Sequence, residues 1–243
     1  MTGVSSEWFR TAFGEGYREV YAHRDADSAG GEARAALALL ALEAPALLLD
    51  CGCGWGRHLA PLRAAGAAAV GIDLSPVLLA DAIAAGLPVT RADWRRLPFG
   101  PVFDGVVSFF TSFGYGPTDA DDARAIGELG RVLKRGGRLL LDLPNPSQVR
   151  RSLVPASTRV AGGLTISERR SLTADGRRME KTVEVRDANG RRSWSESVRL
   201  YEDDELRALL ASAAIWLDAI HGGFSGEPRD ADAPRSIVMG TRR

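Results

Sequence analysis

The chain opens with Phe9, Phe13, Tyr17, Val20 and Tyr21 at the three- to four-residue spacing of one helix face. Gly14 and Gly16 interrupt that pattern. After a polar stretch, Ala33, Ala36, Leu37 and Leu40 form the stripe of a second helix over 32–43, which Pro45 closes. From residue 46 the period alternates. Apolar runs at 46–50, 68–73, 89–90, 103–110 and 138–143 read as strands, and segments 57–65, 75–85 and 119–133 as helices between them. Ser75-Pro76 supplies a cap and a first-turn proline for one helix. Arg135-Gly136-Gly137 is placed to end another. Strands separated by helices predict right-handed βαβ units and a mostly parallel sheet covered by helices on both faces.

Beyond Pro144 the pattern changes. Segments 158–172, 178–186 and 192–200 are rich in Val, Thr, Ile, Ser and Arg, and Asp175-Gly176 and Asn189-Gly190 between them are hairpin turn dipeptides. They predict an antiparallel β insertion. A helix over 203–213 follows, with Asp203-Asp204-Glu205 at its positive end. Strands at 214–220 and 236–241 complete the chain. The expected organisation is an N-terminal helical cap (1–45), an α/β domain in two pieces (46–150 and 201–243), and the insertion (151–200).

At 243 residues, 45% hydrophobic and 26% charged, the composition is that of a globular protein. No apolar run reaches membrane-span length and the first residues lack a signal-peptide pattern, so a cytoplasmic protein is expected, with no membrane partner. Basic and acidic residues balance at 31 each, which argues against a nucleic-acid partner. Only residues 150–200, with twelve basic and six acidic residues, depart from that balance. A solvated hairpin face accounts for them, and an RNA-binding patch is the competing reading. Cys51 and Cys53 are too close for ordinary disulfide geometry, and their spacing with His58 does not make a zinc site.

Candidate chemistry centres on Asp50-Cys51-Gly52-Cys53-Gly54-Trp55-Gly56, a strand end running through a glycine-rich turn into a helix. Such a turn lets a ligand approach the backbone and aims N–H groups at it. Its third glycine falls one residue early for a dinucleotide loop. Asp50 repels a pyrophosphate and suits a ligand carrying an ammonium group. Asp73 ends the next strand, where a carboxylate accepts from a ribose diol. Asp93 follows the third strand, where it can accept from an adenine amino group while Trp94 or Leu74 packs on the ring. Three acids at successive strand ends fit the ammonium, ribose and adenine of one ligand.

These segments, with Val70-Gly71-Ile72-Asp73-Leu74-Ser75, Ala92-Asp93, Phe103-Asp104-Gly105-Val106-Val107 and Leu133-Lys134-Arg135-Gly136-Gly137, resemble the class I S-adenosylmethionine-dependent methyltransferases. The resemblance covers roughly residues 46–143. It implies a Rossmann-like three-layer α/β sandwich whose seven-stranded sheet has an antiparallel last strand. It implies S-adenosylmethionine as cofactor, with roles for Asp50, Gly52, Gly54, Asp73 and Asp93. Cys53, Leu74, Ala92, Trp94 and Phe109 complete the expected contacts along the strand ends. Tyr17 and Tyr21 are placed to reach the cofactor carboxylate or line the pocket, and Arg24 to pair with that carboxylate. Phe110-Thr111-Ser112-Phe113-Gly114-Tyr115, the aromatic N-terminal segment and the late insertion look like small-molecule enzymes of the class. There the insertion walls the substrate pocket or forms a subunit contact, here of a homodimer.

The expected activity is therefore N- or O-methylation of a small molecule. The alternatives are an RNA methyltransferase using the arginine-rich hairpins and a non-catalytic S-adenosylmethionine binder. Methyl transfer from a sulfonium is an in-line displacement that asks mainly for alignment and exclusion of water. Tyr115, just past the fourth strand, is the candidate catalytic residue, orienting the nucleophile or facing the sulfonium. His23 and His221 are candidate bases, and His58 reads as structural. Asp142 and Asn145 fall near the magnesium position of catechol-type enzymes, but not at the adjacent spacing those use, so no metal is expected.

Overall fold

The computed structural model describes residues 4–21, 26–188 and 190–243. Three N-terminal helices come first: α1 (Phe9–Ala12), α2 (Glu15–Tyr21) and α3 (Ala26–Leu40). The α/β alternation follows as β1 (Leu47–Cys51), α4 (Leu59–Ala64), β2 (Ala68–Asp73), α5 (Pro76–Ala84), β3 (Val89–Arg91), β4 (Phe103–Ser108), α6 (Asp119–Val132) and β5 (Leu133–Pro144). A short α7 (Pro146–Ser152) leads into β6 (Ala156–Ala161), β7 (Leu164–Leu172), β8 (Arg178–Asp187) and β9 (Gly190–Arg199). The chain ends with α8 (Asp203–Ser212), β10 (Ile215–His221) and β11 (Arg235–Arg242).

Seven strands form one sheet in the order β10-β11-β5-β4-β1-β2-β3. β11 alone runs against its neighbours. β1 lies inside the sheet between β4 and β2 and is buried on both faces, as its continuous apolar run requires. Adjacent side chains of a strand point to opposite faces. Leu49 thus joins the layer beneath α6 and α8, with Ile126, Leu129, Leu206 and Leu210. Leu48 joins the layer beneath α3 and α4, with Ala36, Leu40, Leu59 and Leu62. The fold is the Rossmann-like sandwich expected, with β6-β7-β8-β9 as a separate antiparallel sheet.

Several local features differ from the sequence pattern, each with a physical cause. The first aromatic stripe is two helices because the chain bends at Phe13 (φ −90°, ψ 51°) just before Gly14. Gly136 does not cap α6: that helix ends at Val132 with Leu133 already extended, and Gly136 bends β5 at φ +77°. Segment 158–172 is not one strand, because Gly162 (φ +56°) and Gly163 (φ +78°) turn it into the β6–β7 hairpin. α7 was not visible in the pattern. Asn145 accepts from the Ser147 amide and Pro146 opens the first turn. Asn189, of the second expected hairpin turn, lies outside the described residues.

The insertion sheet packs Ile166, Val183 and Val185 onto Val20 and Tyr21 of α2. Arg159 donates to the Val20 carbonyl (2.6 Å), and Arg192 pairs with Glu19 (2.9 Å). The N-terminal segment is thereby clamped between the insertion and the carboxyl ends of the main strands. Ile126, on the inner face of α6, is fully buried. Ile126→Ala should cost about 2–5 kcal/mol through lost transfer energy and a residual cavity, measured as a lower urea midpoint at unchanged slope.

Candidate active site

The turn after β1 is built from three left-handed glycines, Gly52 (φ +75°), Gly54 (φ +53°) and Gly56 (φ +85°). The amides of Gly52 and Cys53 both donate to the Ile72 carbonyl (2.8 and 2.9 Å), which ties the loop to β2. A Cβ on Gly52 would meet Ser112 Cβ at 2.6 Å, so the loop also abuts the turn after β4. A Cβ on Gly56 would collide with Leu87 Cδ1, so this glycine answers to packing on the helix side.

Asp73 accepts from the Gly54 amide with one oxygen (2.9 Å) and the Ser75 amide with the other (2.8 Å). Burial holds its carboxyl above the ordinary range despite those donors. Asp50 is 2% exposed, and its Oδ2 has no hydrogen-bond partner among the described residues. Burial, reinforced by the charge on Asp73, pushes its pKa up to about 8. A buried carboxylate with an orphaned oxygen, beside a half-buried one under the same loop, makes a site suited to a cationic group.

Above them lies a cleft of about 1120 Å³, open mouth included. Among the residues expected from the sequence, Tyr17, Gly52, Cys53, Gly54, Asp73, Leu74, Asp93, Trp94, Phe109 and Tyr115 line it. Asp50 lies outside the lining, buried at the end of β1. Ala92 is also buried, its amide donating to the Asp73 carbonyl (3.0 Å). Tyr21 is absent from the lining and belongs to the core under the insertion, where its hydroxyl meets Lys181 and Glu196. Arg24 and His23 lie outside the described residues.

Asp93 is already engaged. Arg95 grips it through Nε (3.0 Å) and Nη2 (2.7 Å) and continues to Asp121 (3.3 Å) and Glu7 (3.4 Å). Burial opposes ionisation of Asp93, but these bonds hold its pKa below the ordinary carboxylate range. Trp94 stacks near Phe113 (6.1 Å between centroids). Tyr115 lies against the N-terminal roof, 4.8 Å from the Trp8 ring and 5.7 Å from Phe13. Ser75 Oγ donates to the Phe13 carbonyl (2.6 Å), pinning that roof to the start of α5.

Nothing in the sequence pattern shows how the turn after β4 is held. Phe110 and Thr111 are both left-handed at φ 60°, a strained conformation for side-chain-bearing residues. Asp142 accepts from the Phe110 amide (2.7 Å) and pairs with Arg235 (2.5 Å), which also donates to Thr111 Oγ1 (2.9 Å). Residues 93 positions apart in the chain meet only because β11 inserts beside β5. Asn145 is used structurally, its amide donating to the carbonyls of Asp230 (2.9 Å) and Ala233 (2.8 Å). His58 and Asp122 also line the cleft. Asp122 holds the Gly116 amide (3.0 Å) and the Tyr201 hydroxyl (2.5 Å), and burial raises its pKa to about 6. Cys51 and Cys53 are buried free thiols pushed above their ordinary pKa by burial.

Residues 48–137 match the family described as a methyltransferase domain. The chain is a class I S-adenosylmethionine-dependent methyltransferase. It is 28% identical over 187 residues, 74% of this chain and 75% of the relative, to a dTDP-4-amino-2,3,4,6-tetradeoxy-D-glucose N,N-dimethyltransferase of Saccharopolyspora spinosa. It is 44% identical over 118 residues, 44% of this chain and 52% of the relative, to a demethylmenaquinone methyltransferase of Thermus thermophilus. Among solved structures, it is similar to the S-adenosylmethionine-bound amino pentose methyltransferase of Micromonospora echinaspora involved in calicheamicin biosynthesis. That likeness has a TM-score of 0.68 and 27% identity, covering 94% of this chain and 97% of that one.

In this methyltransferase the insertion's arginines are largely matched by acids: Arg170 with Glu168, Arg177 with Asp119 and Glu205, Arg186 and Arg191 with Glu184. No described helix is long and apolar enough to cross a membrane. Removing Arg235 would strand the nearly buried Asp142 carboxylate. Arg235→Gln should cost roughly 3 kcal/mol in urea unfolding, and the double variant with Asp142→Asn should lose less than the sum of the two singles.

Proposed function

We propose that this enzyme methylates an amino nitrogen on a small, sugar-like molecule. The observation that carries the small-molecule part is the cleft itself, a roofed space between the loop after β1 and the aromatic residues Phe9, Phe13 and Tyr17. A polymer would need an open track, whereas this roof is clamped by the insertion. The nitrogen acceptor is supported by likeness to proteins named as amino-sugar N-methyltransferases.

The residues present fit the cofactor. The orphaned Oδ2 of Asp50 would meet its ammonium group, relieving the burial of an unpaired carboxylate. Asp73 keeps lone pairs on both oxygens for the ribose hydroxyls beyond the two backbone bonds it already accepts. Leu74 and Trp94 would flank the adenine, with the Asp93–Arg95 pair at its edge. Gly52, Cys53 and Gly54 would approach with backbone alone, and Tyr17 would close over the top. When bound, S-adenosylmethionine supplies a methyl group on a positively charged sulfur. The chain's own task is to hold a neutral amine in line with that methyl and keep water out. Tyr115, fixed by Trp8 and Phe13, would orient the acceptor where the turn after β4 faces the cleft. The insertion would wall the acceptor side.

A transfer screen should show methyl incorporation into nucleotide-linked amino sugars and not into their hydroxyl analogues, read by mass spectrometry of the product. Transfer confined to hydroxyl or quinone acceptors would refute the nitrogen assignment. Asp73→Ala should weaken S-adenosylmethionine binding roughly tenfold to hundredfold by calorimetry. For Asp50 the sign follows from its raised pKa. In the ligand-free protein its ionisation opposes folding as pH climbs from the unfolded carboxyl range toward about 8. A bound ammonium favours the ionised form, so cofactor-induced thermal stabilisation should be larger at about pH 7.5 than at about pH 5.5. Asp50→Asn should flatten that difference.

A further inference from the structure

His58 stands just before α4, 7% exposed, and contributes to the cleft wall. Its ring lies flat on Phe109, 4.0 Å between centroids with 7° between planes. Its Nε2 is 2.6 Å from Glu32 Oε2 on α3. Arg57 Nη1, which only donates, lies 3.3 Å from the same Nε2, but the carboxylate at 2.6 Å is the nearer partner and only accepts, so Nε2 carries the hydrogen and Nδ1 keeps its lone pair. Nδ1 has no hydrogen-bond partner among the described residues. The sequence pattern assigned this histidine to the scaffold. A scaffold role needs no unpartnered ring nitrogen on a residue that lines the cleft and stacks on Phe109 at the end of β4.

We propose that His58 takes the proton released by the methyl acceptor, with Glu32 holding its ring in the tautomer that leaves Nδ1 basic. This rests on the transfer reading above. The acceptor nitrogen's lone pair forms the N–C bond as the C–S bond breaks, and the C–S electron pair stays on sulfur as a neutral thioether. As positive charge builds on the nitrogen in that step, its N–H proton passes to Nδ1. The imidazolium faces the Glu32 carboxylate, and its proton passes to water when product leaves. Burial keeps the free imidazole below its ordinary pKa, so it is neutral and ready at neutral pH. The charges around it are Glu32 on α3 and Asp142 on β5, which favour the imidazolium, and neighbouring Arg57, which opposes it. Arg57 is itself drawn toward Glu32 (3.5 Å), and Arg235 on β11 also favours the Glu32 carboxylate.

The test uses His58→Gln, His58→Ala and Glu32→Gln in the full chain, with S-adenosylmethionine affinity by calorimetry and kcat and KM on whichever acceptor the wild type methylates. His58→Gln should leave cofactor affinity within about twofold while kcat falls roughly 10²- to 10⁴-fold. Added imidazole should restore a measurable part of kcat to His58→Ala, and Glu32→Gln should lose less than either. A kcat within threefold of wild type in His58→Gln, or cofactor affinity falling in step with kcat, would overturn the proposal. Absence of imidazole rescue in a folded His58→Ala protein would also overturn it. If His58→Ala fails to fold, the His58→Gln comparison decides. If the wild type transfers only to oxygen, the nitrogen reading fails while the His58 measurement is made unchanged on that acceptor.

Discussion

The buried carboxylate of Asp50 is the constraint around which the site is arranged. It sits at the carboxyl end of β1, one oxygen unpartnered, with a second acid, Asp73, close enough to raise its pKa further. A protein optimised for stability alone would not keep such a group. Everything around it offers a place for a compensating cation. The Ile72 carbonyl holds the loop, Gly54 lets its amide turn toward Asp73, and the N-terminal aromatics close the top.

The same cleft depends on two supports far from it in sequence. Asp142 and Arg235 hold the turn after β4 in a conformation that its residues would not adopt alone. The antiparallel insertion holds α2 through an apolar cluster and the Arg159 and Arg192 contacts. The roof is therefore not a loose flap but the face of a packed layer. The aromatic residues expected to follow one helical stripe divide their work: Phe13 and Tyr17 face the cleft, and Tyr21 faces the insertion.

Much of the site was legible because cofactor recognition in this architecture is local. Glycines that must turn left-handed and acids at consecutive strand ends leave marks within a few residues of each other. Asp73, Trp94, Gly52 and Gly54 accordingly line the cleft, as expected. Asp93 also lines the cleft, but its pairing with Arg95 is not visible in the sequence. Whether two neighbouring opposite charges meet or diverge depends on side-chain direction, which sequence spacing does not report. Gly136-Gly137 misled for a related reason. The dipeptide fits a helix stop and a strand bend equally, and β4 alongside decided for the bend.

By itself, then, the sequence determined the α/β alternation of the main domain, the mostly parallel sheet and the glycine-rich loop at the cleft. Those follow from hydrophobic period and backbone freedom, both properties of short stretches of chain. Only the tertiary structure decided which charges pair, which aromatic rings form the roof, and that His58 and Asp122 reach the cleft wall. These contacts join residues dozens of positions apart, and their energies depend on burial and orientation. Neither quantity exists until the sheet has brought α3, β5, β11 and the insertion together around the strand ends.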